Sequence, residues 1–299
     1  MIRYCLGYIY IIMRRTTFLH ILCCLSLLAC KKVQSAVFAD SGAAYRITKN
    51  ISYNNINVNL IIDKPLGNTF DVLMVFHGTV GYDNRILDAA NKTLDAFKEI
   101  LDSSNQTLLI ISVAYPEENL LFGDNIQQCE AALLWLKNKA RSELGITINK
   151  IFLAGHSQGG YQVTKLNTMH ATNGVIANAP GPLNLVFRCQ LEENGKLASG
   201  TTCTLLKNTY GTTSINRDAY FQRSLLNFTT EHKSDILFVQ GLDDSPIQMY
   251  SWPTFKDKMN QCVSCKTSVF VEVPNAGHQA LFGSSKAKAA FNQFIKERR

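Results

Sequence analysis

Long apolar runs are scarce in this 299-residue chain. After residue 30 none approaches the roughly 18 consecutive apolar residues of a membrane-spanning helix, which excludes a polytopic membrane protein. Runs of lysine and arginine are missing too. The 30 basic and 23 acidic residues are scattered, without the basic stripe that nucleic acid attracts, so no nucleic-acid partner is expected. A second CxxC pair is lacking, which removes the usual zinc arrangement, and no metal site is expected. No internal repeat or low-complexity tract is present. With 46% hydrophobic and 18% charged residues the composition is globular. It excludes a wholly disordered chain, a collagen-like chain and a small disulfide-held scaffold.

The N-terminus is built differently from the rest. Arg14 and Arg15 precede an apolar run from Phe18 to Ala29, broken only by His20 and Ser26. A positive region, a short apolar region and small residues at its end describe an export signal over residues 1–29. Met13 directly before the arginines makes a cleaner start than Met1, so residues 1–12 read as an over-extended start. Loss of Arg3, Arg14 and Arg15 with the signal would lower the net charge from +7 to +4. Leu27-Leu28-Ala29-Cys30 resembles the bacterial lipobox, which implies lipid on Cys30 and a membrane anchor. Residues 30–44 then form a tether, and the expected location is the periplasm or cell surface.

Export permits disulfides. Cys189 and Cys203 bracket a polar segment and are candidates to pair. Cys262 and Cys265 form CxxC after a helix-like stretch rather than at a helix N-terminus, so a structural loop disulfide is expected there. Cys129 is left as a small buried hydrophobe.

Hydrophobic periodicity divides residues 45–299 into alternating elements. Strands are expected at 45–53, 56–62, 70–76, 107–114, 150–154, 175–177, 236–239 and 267–273. Helices are expected at 84–103, 124–141, 158–170, 251–260 and 284–297. Such alternation with apolar strand runs means a parallel sheet covered by helices on both faces. Residues 182–232 break the rhythm and read as an insertion over the sheet edge. Its aromatics Phe187, Tyr210, Tyr220, Phe221 and Phe228 either line an apolar site or bury the insertion's own small core.

The strongest chemical signal is Gly155-His156-Ser157-Gln158-Gly159, between an expected strand and an expected helix. A sharp turn there lifts the serine hydroxyl out of the sheet, and crowding two residues to either side favours glycine. A nucleophilic serine needs a base and an orienting acid, in the chain order Ser, acid, His for this arrangement. His278, in the loop after strand 267–273, stands where a base would project. His156 is too close along the chain to reach Ser157, and His170 and His232 read as solvated. The loop after strand 236–239 supplies Asp243 and Asp244. The Gly-x-x-Asp spacing favours Asp244, with Asp243 as the fallback. Two backbone N–H groups are needed for the developing oxyanion. Gln158 supplies one and Thr79, in His77-Gly78-Thr79-Val80-Gly81, the other. His77 is expected to hold that loop by hydrogen bonding.

The ordered set HGTVG, GHSQGG, GLDD and NAGH resembles the α/β-hydrolase superfamily. It is most similar to small secreted esterases, dienelactone-hydrolase-like proteins and prolyl-oligopeptidase-type peptidases. The resemblance covers most of residues 45–299 and implies an α/β-hydrolase fold: a mostly parallel eight-stranded sheet, helices on both faces and a cap insertion over about 182–232. Thr79 and Val80 replace glycines of the HGGG loop of hormone-sensitive-lipase-type enzymes. No propeller-length N-terminal region precedes the hydrolase-like part, so a full prolyl oligopeptidase is not expected. The expected activity is hydrolysis of a small-molecule or polymeric carboxylic ester through an acyl-enzyme on Ser157, with His278, Asp244 and no cofactor. A serine peptidase using the same residues is the rival within the class. A non-catalytic surface lipoprotein is the rival outside it.

Overall fold

The computed structural model describes residues 42–299. The expected signal over 1–29, Cys30 and nearly all of the tether lie outside the described residues. Eight strands form one sheet: β1 (Tyr45–Tyr53), β2 (Ile56–Lys64), β3 (Thr69–Phe76), β4 (Leu109–Ala114), β5 (Thr147–His156), β6 (Gly174–Asn178), β7 (Ile236–Gly241) and β8 (Ser268–Val273). Their spatial order is β1-β2-β4-β3-β5-β6-β7-β8. The β1–β2 and β2–β4 pairs are antiparallel, and every later pair is parallel. The hairpin between β1 and β2 turns on Asn54 and Asn55, both at positive φ, as a tight two-residue turn demands.

Strand residues alternate between two apolar layers, because successive side chains leave a strand on opposite faces. Met74, Leu153, Val175 and Phe238 enter one layer, under helices Ile126–Asn138, Gln158–Met169 and Pro246–Asn260. Leu73, Phe152, Ile176 and Leu237 enter the other, under helices Ile86–Glu99 and Ser285–Lys296. Coverage on both faces explains why β4 reads LIISVA and is buried throughout.

The expected elements are all present, with shifted ends. The helix expected at 251–260 starts earlier, at Pro246. Ser245 caps it by accepting from the Gln248 N–H, and proline suits a first helical position. The helix expected at 124–141 runs from Ile126 to Asn138, and a separate short helix, Ala140–Leu144, follows.

Residues 182–232 hold helices Leu185–Glu193, Thr201–Tyr210 and Arg217–Phe221. Leu185, Cys189, Cys203, Leu206 and Tyr220 bury one another in a small core of their own. Cys189–Cys203 and Cys262–Cys265 are disulfides, and Cys129 is free and buried. The reading of His232 as solvated is corrected. It is only 2% exposed, with ring nitrogens meeting the Asn167 amide at 3.1 Å and the Phe228 carbonyl at 2.9 Å. No helix among the described residues is long and apolar enough to cross a membrane.

Candidate active site

Ser157 sits between β5 and the helix Gln158–Met169, at φ 56° and ψ −117°. A residue with a Cβ takes such a conformation only where its surroundings enforce it. Here the Ser157 N–H donates to Asn178 O at 2.9 Å, and Ser157 O accepts from Tyr161 at 3.0 Å and Gly181 at 3.2 Å. The flanking glycines follow from sterics. A Cβ on Gly155 would lie 2.1 Å from Gly159 O, and one on Gly159 would lie 2.0 Å from Phe76 O. Both obstacles are backbone, so no rotamer change relieves them. The Gln158 N–H stands at the N-terminal end of a twelve-residue helix, where the peptide dipoles favour negative charge.

Asp244 follows β7 and His278 follows β8. The two loops are joined by the Asp243 N–H donating to Ala276 O at 2.9 Å and the Leu242 N–H donating to Val273 O at 3.0 Å. His278 Nδ1 donates to Asp244 Oδ2 at 2.8 Å. The same oxygen accepts from Gln240 Nε2 at 3.0 Å, and Oδ1 accepts from the Ser245 N–H at 2.6 Å. Burial works to raise the Asp244 carboxyl. The hydrogen bonds from His278, Gln240 and Ser245 outweigh it and hold the carboxyl below its usual value. An ionised acid with three donors fixes the His278 tautomer with Nε2 free to accept a proton. Asp243 is exposed, and no hydrogen bond of its carboxylate occurs among the described residues.

Ser157 and His278 line one cavity of about 240 Å³, together with Thr79, Phe122, Leu183 and Arg188. Among the described residues no hydrogen bond within 3.5 Å joins the Ser157 hydroxyl to His278. Such contacts commonly tighten only when substrate binds.

The loop after β3 passes close over the turn, with a Cβ on Gly78 lying 3.4 Å from Ser157 Cβ. Thr79 Oγ1 donates to Gln158 Oε1 at 2.9 Å, which holds the two candidate oxyanion donors side by side. His77 stacks on Tyr115 at 3.9 Å and donates from Nδ1 to Gly78 O at 2.8 Å. The Tyr115 hydroxyl in turn donates to His77 O. Burial pushes the His77 pKa down to about 4, so it stays neutral and holds the loop. Glu117 Oε2 accepts from the Val80 N–H at 2.9 Å and the Gly81 N–H at 3.1 Å, pinning the loop from the other side.

His156 does not approach Ser157 as a base. Its Nδ1 accepts from the Asn178 amide at 2.9 Å, and its ring stands 4.8 Å from that of His278. Burial first, then the neighbouring His278, lowers its pKa to about 4.

Four supports carried no motif in the sequence. Gln248, Glu117 and Asn178 act through partners distant along the chain, and Gln240 acts on Asp244, four residues on. The polar Gln240 inside the apolar strand Ile236–Gly241 is the one sequence sign among them. Gln248 donates to Gln240 Oε1 at 3.1 Å and to Pro180 O at 2.8 Å, so the Asp244 support is itself held.

None of the five insertion aromatics lines the Ser157 cavity. Tyr220 is buried in the insertion core with Tyr210 and Phe221 against it. Phe187 stacks on Tyr250 at 3.9 Å, and Phe228 meets Tyr161 at 6.0 Å. The aromatic wall of the cavity is Phe122, from outside the insertion. The insertion still covers the cavity, through Leu183, Asn184, Arg188 and Thr202. Among the described residues no group of three or more His, Cys, Asp or Glu could hold a metal ion.

No protein-family model and no curated protein matches the sequence. Solved structures do. A truncated carbohydrate esterase from gut microbiota matches with a TM-score of 0.63 at 15% identity, over 87% of this chain and 98% of that one. A fungal esterase from Rhizomucor miehei matches with a TM-score of 0.62 at 13% identity, over 87% and 84%. The chain has the α/β-hydrolase fold. Within that fold the serine turn, the acid loop after β7 and the histidine loop after β8 all gather at the C-terminal ends of the parallel strands. An acylaminoacyl peptidase from Pyrococcus horikoshii matches with a TM-score of 0.61 at 13% identity, over 91% of this chain but 43% of that one.

Proposed function

We propose that this protein is an exported serine hydrolase that cleaves carboxylic esters through an acyl-enzyme. The observation that carries the reading is the His278–Asp244 hydrogen bond at 2.8 Å, on a histidine that shares one cavity with Ser157. In the proposed cycle Ser157 Oγ attacks the acyl carbon while His278 Nε2 takes its proton. Asp244 keeps the ring oriented and stabilises the imidazolium. The Gln158 and Thr79 N–H groups donate to the oxyanion. The imidazolium then protonates the departing alcohol oxygen. Water, deprotonated by His278, attacks the acyl-enzyme, and the acid leaves with Ser157 restored. No step calls for a cofactor.

The likeness to the acylaminoacyl peptidase favours a second reading, a peptidase with the same residues. The ester reading is preferred because the esterase matches run along nearly the full length of both chains. A non-catalytic lipoprotein would have no use for the three hydrogen bonds that orient His278 and Asp244. The two disulfides support an exported protein, and lipid on Cys30 would hold it at a membrane surface. The natural substrate is a small-molecule or polymeric ester.

A neutral fluorophosphonate probe tests the chemistry. Labelling of wild type and none of Ser157→Ala is expected. Absence of labelling in wild type refutes the reading. Acyl esters hydrolysed faster than aminoacyl amides would favour the esterase over the peptidase.

A further inference from the structure

The Ser157 cavity contains a cation that the proposed cycle does not use. Arg188 lies on the insertion helix Leu185–Glu193 and lines the wall of that cavity. It also lines a second cavity of about 360 Å³, so it stands where the two meet. No carboxylate lines the Ser157 cavity among the described residues; Asp244 lies behind His278, its side chain 4% exposed. The second cavity is different, because Glu117 and Glu118 are in its wall.

Arg188 is held rather than trailing in solvent. Its Nε donates to Glu192 Oε1 at 3.2 Å, one helical turn away. The Glu192 side chain is 4% exposed, and its other oxygen accepts from the Gly200 N–H at 2.8 Å. The neighbouring Cys189 is tied to Cys203, so the helix that carries Arg188 is fixed to the next one. A surface pair at i, i+4 would be an ordinary helix contact. Here Glu192 is buried and uses only Nε, and both Nη groups have no hydrogen-bond partner among the described residues. A planar pair of N–H donors beside a small cavity matches a carboxylate better than any neutral group.

We propose that Arg188 is a specificity-determining residue that binds a carboxylate of the substrate, so that the preferred esters are half-esters of dicarboxylic acids or esters of comparable acidic compounds. The acidic group sits on the Ser157 side of Arg188. On the other side Glu117 and Glu118 would repel it, so the second cavity takes an uncharged part of the substrate. The proposal rests on the ester-hydrolase reading. It adds a selection by charge that the serine, histidine and aspartate alone do not supply.

The test compares ethyl hydrogen succinate with diethyl succinate in wild type, Arg188→Gln and Arg188→Lys. The readout is the half-ester to diester ratio of kcat/KM. Loss of a charged hydrogen-bonding partner should lower that ratio about tenfold to a hundredfold in Arg188→Gln. Arg188→Lys should recover part of it, since the charge returns without the fork. Because Arg188→Gln strands the buried Glu192, the double variant Arg188→Gln/Glu192→Gln is measured as well. A ratio unchanged in both overturns the proposal, as does an equal loss on both esters. A separate arm uses free succinate to protect Ser157 from the neutral fluorophosphonate. Protection in wild type that weakens at least tenfold in Arg188→Gln supports the carboxylate site, even with a substrate that is not an ester. Absence of succinate protection in wild type counts against it. Failure of the probe to label wild type refutes the hydrolase reading itself.

Discussion

Replacing Asp244 by asparagine separates an orienting acid from a merely buried one, and the structure decides how the new amide must sit. Asp244 Oδ1 receives the Ser245 backbone N–H at 2.6 Å, while Oδ2 receives His278 Nδ1 at 2.8 Å and Gln240 Nε2 at 3.0 Å. An asparagine has one oxygen to share between those two sides. Turning its NH₂ toward Ser245 sets two N–H donors against each other, on a backbone fixed by the helix it caps. The amide oxygen therefore stays with Ser245, and the NH₂ group faces His278, whose ring can switch to accepting, while the Gln240 amide loses its acceptor there. The imidazole then accepts at Nδ1, carries its proton on Nε2 and can no longer take one from Ser157. The expected loss in kcat is about 10³- to 10⁴-fold, equivalent to about 4 to 5.4 kcal/mol of transition-state stabilisation. Asp243→Asn is the paired control, because that side chain is exposed. The assay is initial rate on a short-chain p-nitrophenyl ester, with enzyme concentration set by circular dichroism and the folded fraction. An Asp244→Asn enzyme within tenfold of wild type refutes the reasoning, as does a larger loss in Asp243→Asn.

Other outcomes follow from the packing and the buried groups. Gly159→Ala drives a Cβ to 2.0 Å from a backbone oxygen and should cost about 3 kcal/mol or more in urea unfolding, whereas Gly283→Ala, with nothing within 4 Å, should not destabilise. His77 and His156 are each lowered from 6.5 to about 4, so the unfolded chain binds more protons between those values. Stability should therefore fall as pH drops from about 6.5 toward 4, by up to about 3 kcal/mol for each histidine. Asp244 adds to the same trend below the usual carboxylate range, because its stabilisation is lost as pH falls through its lowered value. A melting temperature unchanged from pH 7.5 to 4.5 would contradict this. On the proposed lipid anchor, Cys30→Ser should move the protein from the membrane fraction to the soluble one. Intact mass of the mature N-terminus checks that, and an unlipidated start at another residue removes the anchor.

Local rules made the serine turn legible. Gly155 and Gly159 are demanded by backbone atoms that meet only when a strand turns sharply into a helix, so their spacing around Ser157 carries the geometry with it. The strands were legible for a similar reason. Burial on both faces leaves β4 an unbroken apolar run, while the alternation of β1 records one face turned to solvent. The Cys189–Cys203 pair lies only 14 residues apart, within the reach of a single insertion.

Other features depend on which side chains the crossovers bring together, and a linear pattern does not encode that. His232 looks like a loop histidine in the sequence, yet Asn167, 65 positions away, meets its ring inside the protein. The linear pattern of the insertion aromatics is equally compatible with a place facing Ser157. Tyr220, Tyr210 and Phe221 instead pack into the core that the three short helices share, while Phe187 and Phe228 pack on Tyr250 and Tyr161 outside the insertion, since so small a unit cannot hide all its apolar faces alone. The Gly-x-x-Asp spacing favours Asp244 over Asp243, and tertiary contact supplies the physical reason. Neighbouring aspartates on one loop point to different sides of the chain, and only the packing of the β7 loop against the β8 loop determines which one faces His278. Composition gave Arg188 no special standing among the 30 basic residues. Its position over the Ser157 cavity arises because the insertion leaves the sheet at the strand ends and folds back across them, and that path is a property of the assembled fold alone.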